Sequence, residues 1–208
     1  MHRSISLGVC LISGLLLGAA AILTAGPLTP PAGPVAGTYK TLGEVEPRIA
    51  INATNTPGNA SCLYRITQPG SYYLTGNVTA VIGKHGILIA TSGVTLDLNG
   101  FDVSGIAGMG SFSGVTTSGG SLNSISVLRG SIRNWGDVGL DLRLASNCRV
   151  EGVLAASNLS GGITVGPSST VAACVSVGGN VGITLGAGST ADKSTSSGST
   201  LDGFYAGN

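Results

Sequence analysis

The chain has nine acidic and ten basic side chains among 208 residues, so the groups able to do chemistry can be weighed singly. The carboxylates with a prospect of facing solvent are Asp97, Asp102, Asp137, Asp141 and Glu151. Hydrolysis of a glycosidic bond needs two carboxylates flanking it. A calcium-assisted elimination needs several carboxylates around the metal and an arginine nearby as base. The nearest approach to either set is Asp137, Asp141, Arg143, Arg149 and Glu151, with Asp141 and Arg143 pointing outward from one strand by simple alternation. Asp141, Arg143 and Glu151 are therefore the catalytic candidates, and the competing reading is an exposed face of salt-bridged, solubilising charge. His85, between Lys84 and Gly86, reads as a surface-loop residue rather than a base. Trp135 and Arg133 flank Asn134 and could stack on a sugar ring; the alternative for Trp135 is to cover a corner of the fold.

Other chemistries find no foothold. There is no Cys-x-x-Cys pair, and no Gly-x-Ser-x-Gly or phosphate loop in a strand-to-helix context, so the expectation is no cofactor and no metal. A formal charge of +1 without a basic stripe gives nucleic acid no electrostatic footing. With 42% hydrophobic residues and only 9% charged, the chain does not have the composition of a disordered one. Its 35 glycines lack the three-residue spacing of collagen.

The elements that must carry these residues announce themselves as a repeat. Gly86-Ile87-Leu88-Ile89, Gly114-Val115-Thr116-Thr117, Gly139-Leu140-Asp141-Leu142, Gly162-Ile163-Thr164-Val165, Gly182-Ile183-Thr184-Leu185 and a degraded Gly203-Phe204-Tyr205-Ala206 are separated by 28, 25, 23, 20 and 21 residues. Such a period marks a solenoid turn, and it is too short for a strand plus crossover helix. The residues between are β-branched or Gly, Ser and Asn, which build short strands and corners. Val94, Leu96 and Leu98 alternate with Thr95 and Asp97 before the Asn99-Gly100 turn. The fold class is thus all-β, a right-handed parallel β-helix of about five coils, with the repeats spanning residues 86–208 and the chain expected to lack further C-terminal coils. Each coil alone buries too little to fold, and stacking on neighbours supplies the stability. Asn134, Asn158 and Asn180 precede successive repeat starts; they either form a ladder up the coil or each serve one turn.

Ahead of the repeat, residues 1–25 read as a secretory signal peptide, with His2 and Arg3 before an apolar core from Leu7 to Leu23 and the small residues Thr24-Ala25-Gly26 after it. A retained membrane anchor is the alternative. Residues 26–38 hold four prolines and read as an extended linker. Residues 39–85 are assigned to an N-terminal cap, a short helix or irregular strand covering the open sheet edge, and to the first strands. Tyr72 and Tyr73 should split between interior and surface. Cys62, Cys148 and Cys174 remain after signal cleavage; the odd number leaves at least one thiol free, and repeat alignment keeps Cys148 and Cys174 off one another, so buried free thiols are expected.

Ser92-Gly-Val-Thr-Leu-Asp-Leu-Asn-Gly-Phe-Asp102, taken with the repeated Gly-aliphatic rungs, resembles the right-handed parallel β-helix proteins of the pectin-lyase-like superfamily. With Ile66-Thr-Gln-Pro-Gly-Ser-Tyr-Tyr-Leu74 leading into that phrase, it looks closer still to uncharacterised secreted bacterial β-helix repeat proteins. The resemblance spans about residues 60–208. It implies the fold more than the function, because the superfamily holds lyases, hydrolases, epimerases, tailspikes and adhesins. The expected role is a secreted or cell-surface, non-catalytic module that is structural or binds glycans. The rival is a polysaccharide lyase or glycoside hydrolase. The partners left open are a polysaccharide, further copies of the chain as in a trimeric adhesin, or missing C-terminal coils; no membrane contact is expected after signal cleavage. A groove with two carboxylates and a base from neighbouring coils would favour the enzyme, and a flat Ser/Thr/Asn face the module.

Overall fold

The computed structural model describes residues 46–207, all of them strand, turn or loop. The signal peptide, the linker and the first part of the expected cap lie outside the described residues. A short strand β1 (Ile49–Ala50) precedes the stack. Coil 1 is β2 (Cys62–Ile66), β3 (Gly70–Tyr73) and β4 (Val78–Thr79). Coil 2 is β5 (His85–Ile89), β6 (Val94–Asp97) and β7 (Asp102–Ser104). Coil 3 is β8 (Val115–Thr117), β9 (Leu122–Asn123) and β10 (Ile125–Arg133), and coil 4 is β11 (Val138–Leu142), β12 (Ala145–Ser146) and β13 (Arg149–Ala156). Coil 5 is β14 (Gly161–Val165), β15 (Thr170–Ala172) and β16 (Val175–Val177), and coil 6 is β17 (Val181–Leu185), β18 (Thr190–Asp192) and β19 (Thr195–Ser197). β20 (Asp202–Ala206) opens coil 7.

All strand ladders are parallel. One sheet, here sheet B, stacks β2-β5-β8-β11-β14-β17-β20, and a second, sheet A, carries the remaining strands apart from the small β9–β12 pair. The Gly-aliphatic segments do lie over one another: Ile87, Val115, Leu140, Ile163, Ile183 and Phe204 form one column. The molecule has about seven coils rather than five. Counting from glycine to glycine misses coil 1, because Leu63 stands in β2 where the later coils have the glycine.

The glycine column has a packing cause. In a coil this narrow the inward side chains of sheet A reach the backbone of sheet B. A Cβ on Gly114 would overlap Ile132, one on Gly162 would overlap the Ser176 hydroxyl, and one on Gly182 the Ser196 hydroxyl, and each would also press on the carbonyl of the glycine in the next coil. The corners have a conformational cause. Ser124, Asn147 and Ser168 stack at one corner, Arg129, Ala173 and Lys193 at a second, and Asn134 and Ser157 at a third, all with positive φ. Glycine and Asn fit there at least cost, whereas Arg129, Ala173 and Lys193 hold the left-handed conformation at a cost of about 1–2 kcal/mol each that the stacked ladder offsets.

The interior is aliphatic through coils 2 to 4, where Leu96, Leu98, Val127, Ile132, Leu140 and Val150 are all fully buried. Each such side chain contributes about 1.5–3 kcal/mol on burial. The three cysteines are buried and free, and burial pushes the Cys148 and Cys174 thiols upward.

At the N-terminal end the cap is a strand and a loop. β1 pairs with β3 in parallel, Ile49 opposite Tyr72. The loop after it crosses β2: Pro57 makes an antiparallel bridge with Tyr64, and the Arg65 amide donates to Thr56 O at 3.2 Å. Sheet B's first edge is therefore occupied.

Candidate functional site

The outward charges fall into separate clusters. On sheet A at coils 1 to 3, Asp97 is only 3% exposed, although strand alternation turns it away from the core. Arg48 from the cap donates Nη1 to its Oδ2 at 2.9 Å, Arg129 donates to the same oxygen, and the Asn99 amide donates to Oδ1 at 2.9 Å. The Arg48 guanidinium lies 4.6 Å over the Tyr73 ring and grips Glu46, whose carboxyl its hydrogen bonds hold down at about 2. Tyr73 is thus outward, whereas Tyr72 is inward and donates its hydroxyl to Gln68 O at 2.8 Å. Asp102 is similarly occupied, accepting from Ser131 Oγ at 2.9 Å and Arg133 Nε at 2.8 Å.

Trp135 does not present a stacking face. It is 1% exposed, its Nε1 donates to Val103 O at 2.9 Å, and its ring fills the space beside Gly86 and Gly114. Two glycines beneath one corner make room for an indole inside, so Trp135 and Arg133 do not form the sugar platform that their proximity in sequence suggests.

The three catalytic candidates divide between two sheets. Asp141 lies on sheet B and Arg143 in the turn just after β11, where its Nε donates to Asp141 Oδ1 at 2.8 Å and that bond raises the Arg143 pKa. Glu151 lies on sheet A, opposite Leu128 and Ala172, and pairs with Arg149. A corner of the coil separates Leu142 from Arg149, so Glu151 cannot join the other two around one bond.

Sheet B carries a shallow groove of about 570 Å³ over coils 4 to 6, with Asp137 and Arg143 among its lining residues. Its floor includes Thr164 and Thr184, stacked on Asp141 in one outward column, with Val138, Val181 and Pro167 beside them. Asp137 differs from the other carboxylates named so far: its side chain accepts from Ser113 Oγ at 3.5 Å, and among the described residues no cation forms a salt bridge with it. The Ser113 amide donates to His85 Nδ1 at 3.0 Å, and the His85 ring meets Phe112 edge-on at 5.1 Å. Burial lowers the His85 pKa, and Asp137 and Asp141 pull it partly back. His85 is half-buried and hydrogen-bonded, not a free loop residue. Among the described residues no group of three or more His, Cys, Asp or Glu is placed to hold a metal ion.

The asparagines do not bond to one another as a ladder, but two of them reach into a neighbouring coil. Asn158, 1% exposed, donates Nδ2 to Ile132 O at 3.0 Å and accepts from the Trp135 amide at 3.1 Å; Asn180 instead accepts from Thr200. Further cross-coil stitching comes from a signal that the repeat alone does not show. The Cys148 amide donates to Ser169 Oγ at 3.0 Å, the Ser169 amide to Ser189 Oγ at 2.9 Å, and the Cys174 amide to Ser194 Oγ at 3.2 Å. The recurrence of Cys or Ser at the coil period could have revealed it.

No protein-family model, curated protein or solved structure matches this chain.

Proposed function

We propose that the protein is a secreted, non-catalytic β-helix module that binds a glycan along the sheet B groove, with the pectin-lyase-like superfamily as its structural kin. One observation carries the reading: the groove is floored by threonine hydroxyls and small or apolar residues, and its lining arginine, Arg143, is already bound to Asp141 beside it. Hydroxyls and short apolar side chains suit the alternating polar edges and C–H faces of a saccharide chain. Dispersal of the remaining carboxylates supports the non-catalytic part. Asp97, Asp102 and Glu151 are each tied to arginines on sheet A, away from the groove. The signal-like N-terminus supports export.

A polysaccharide-cleaving enzyme is the second reading, favoured by Asp137, a groove carboxylate free of any ion pair among the described residues. Two assays on the mature protein separate the readings. Co-sedimentation with insoluble polysaccharides should retain the protein, while incubation with soluble acidic and neutral polysaccharides should release neither unsaturated products nor new reducing ends. Catalytic product formation would overturn the module in favour of the enzyme, and absence of both binding and turnover would remove the glycan role.

A further inference from the structure

The groove's charge balance selects among glycans. Asp137, Asp141 and Arg143 sum to one negative charge, because the single cation is bonded to Asp141 while it also feels the field of Asp137, with which it shares the groove lining. The next cation on the outward column of sheet B is Arg65, in coil 1. Two coils, three strand steps, separate it from Asp141 along the ladder, about 14 Å at the usual strand spacing and beyond a physiological Debye length. His85, the titratable group nearest Asp137 through Ser113, is kept from charging at neutral pH by its burial. A polyuronate laid along this floor would bring its carboxylates toward Asp137 with one already engaged arginine to receive them.

We propose that the sheet B groove takes an amino-sugar chain bearing free amines, with one ammonium seated on the Asp137 carboxylate and the neighbouring sugar hydroxyls on Thr164 and Thr184. This rests on the glycan-binding reading above and adds the ligand's chemical class. An ammonium on a carboxylate makes a charge-assisted hydrogen bond, roughly twice as strong as a neutral one. N-acetylation would remove that charge while leaving the sugar ring intact.

The test is calorimetric titration of the mature protein with three size-matched oligosaccharides: glucosamine oligomers, their N-acetylated counterparts and oligogalacturonate. The free-amine oligomer should bind about tenfold or more tightly than the N-acetylated one, and oligogalacturonate weakest of all. Asp137→Asn should remove most of the preference for the amine, bringing the affinities for the two oligomers to within about twofold of each other. Arg143→Gln, which frees the Asp141 carboxylate, should strengthen amine binding, and this second variant keeps the test independent of how Asp137→Asn folds. Equal binding of amine and N-acetylated oligomers that is indifferent to both variants, or tightest binding of oligogalacturonate, would overturn the amine assignment while leaving a glycan module. No binding of any oligomer would overturn the glycan reading and this inference with it.

Discussion

The outer face of sheet A over coils 1 to 3 and the outer face of sheet B over coils 4 to 6 are built on the same parallel ladder, yet their charges are put to opposite uses. On sheet A, Glu46, Arg48, Asp97 and Arg129 form one connected network roofed onto Tyr73, and Asp102 with Arg133 closes a second. These groups join the cap and three coils. On sheet B the floor is threonine and small residues, one ion pair is self-contained within β11 and the residue after it, and one carboxylate is left over. Saturated charge fastens neighbouring coils, while unsaturated charge beside a hydroxyl floor is available to a ligand.

The interior under the two faces differs as well. One inward column of sheet A runs Val103, Ile132, Ala155, Ser176 and Ser196, so the filling shrinks and turns polar along the stack. In a solenoid each coil contacts only its neighbours, so stability is local.

The comparison can be broken most forcefully at Trp135. Trp135→Ala should cost about 3–5 kcal/mol, read as a lowered denaturant midpoint, because the ring fills the interior beside coils 2 and 3. A loss below about 1 kcal/mol would mean that the indole is not buried. Next is Asp97→Ala, which leaves Arg48, Arg129 and the Asn99 amide without their shared acceptor. We expect a loss of about 2 kcal/mol, below the cost of breaking a fully buried pair because both arginines keep solvent. Asp141→Ala on sheet B should cost under about 1 kcal/mol, as exposed pairs do. If the two variants cost the same, the contrast between fastening and available charge fails.

Gly162→Ala should destabilise by about 1–3 kcal/mol through overpacking against the Ser176 side chain and the Gly182 carbonyl, and Ser176→Ala should relieve the part of that cost due to the hydroxyl. Ser176 Oγ is buried without a partner, so removing it alone should be neutral or mildly stabilising. A double-mutant cycle with no coupling would refute the packing account of the glycine column.

The smallest expected effect is in pH. The folded His85 pKa lies below the ordinary 6.5, so the unfolded chain takes up its proton first. The stability His85 contributes is whole above about pH 6.5 and declines as pH falls through the window down to the folded value. Replacing His85 with Gln should flatten that part of the stability profile, measured by denaturation between pH 7.5 and 5.5; an unchanged slope would contradict it.

Much of the architecture was legible because strand alternation and the recurrence of Gly before an aliphatic residue are local signals. Val94, Leu96 and Leu98 are inward as alternation requires. The coil count fell short because Leu63 breaks the glycine register in coil 1. The site was less legible for reasons of distance. Alternation puts Asp97 outward, but the arginine that covers it comes from 49 residues away. Asp141 and Glu151 sit close in sequence, yet a corner between them turns one onto each sheet. Of the two roles open to Trp135, sugar platform and corner cover, it takes the buried corner, and nothing nearby in sequence reveals that Gly86 and Gly114 leave room for its ring inside.

The most direct test of the central claim, that the sheet B groove rather than the sheet A network is the ligand face, is amide chemical-shift mapping during titration with a glucosamine oligomer. Perturbations should cluster at Asp137, Arg143, Thr164, Thr184 and Gly186 and leave Arg48, Tyr73 and Arg129 still. Shifts centred on the sheet A residues, or none anywhere at saturating oligomer, would contradict it.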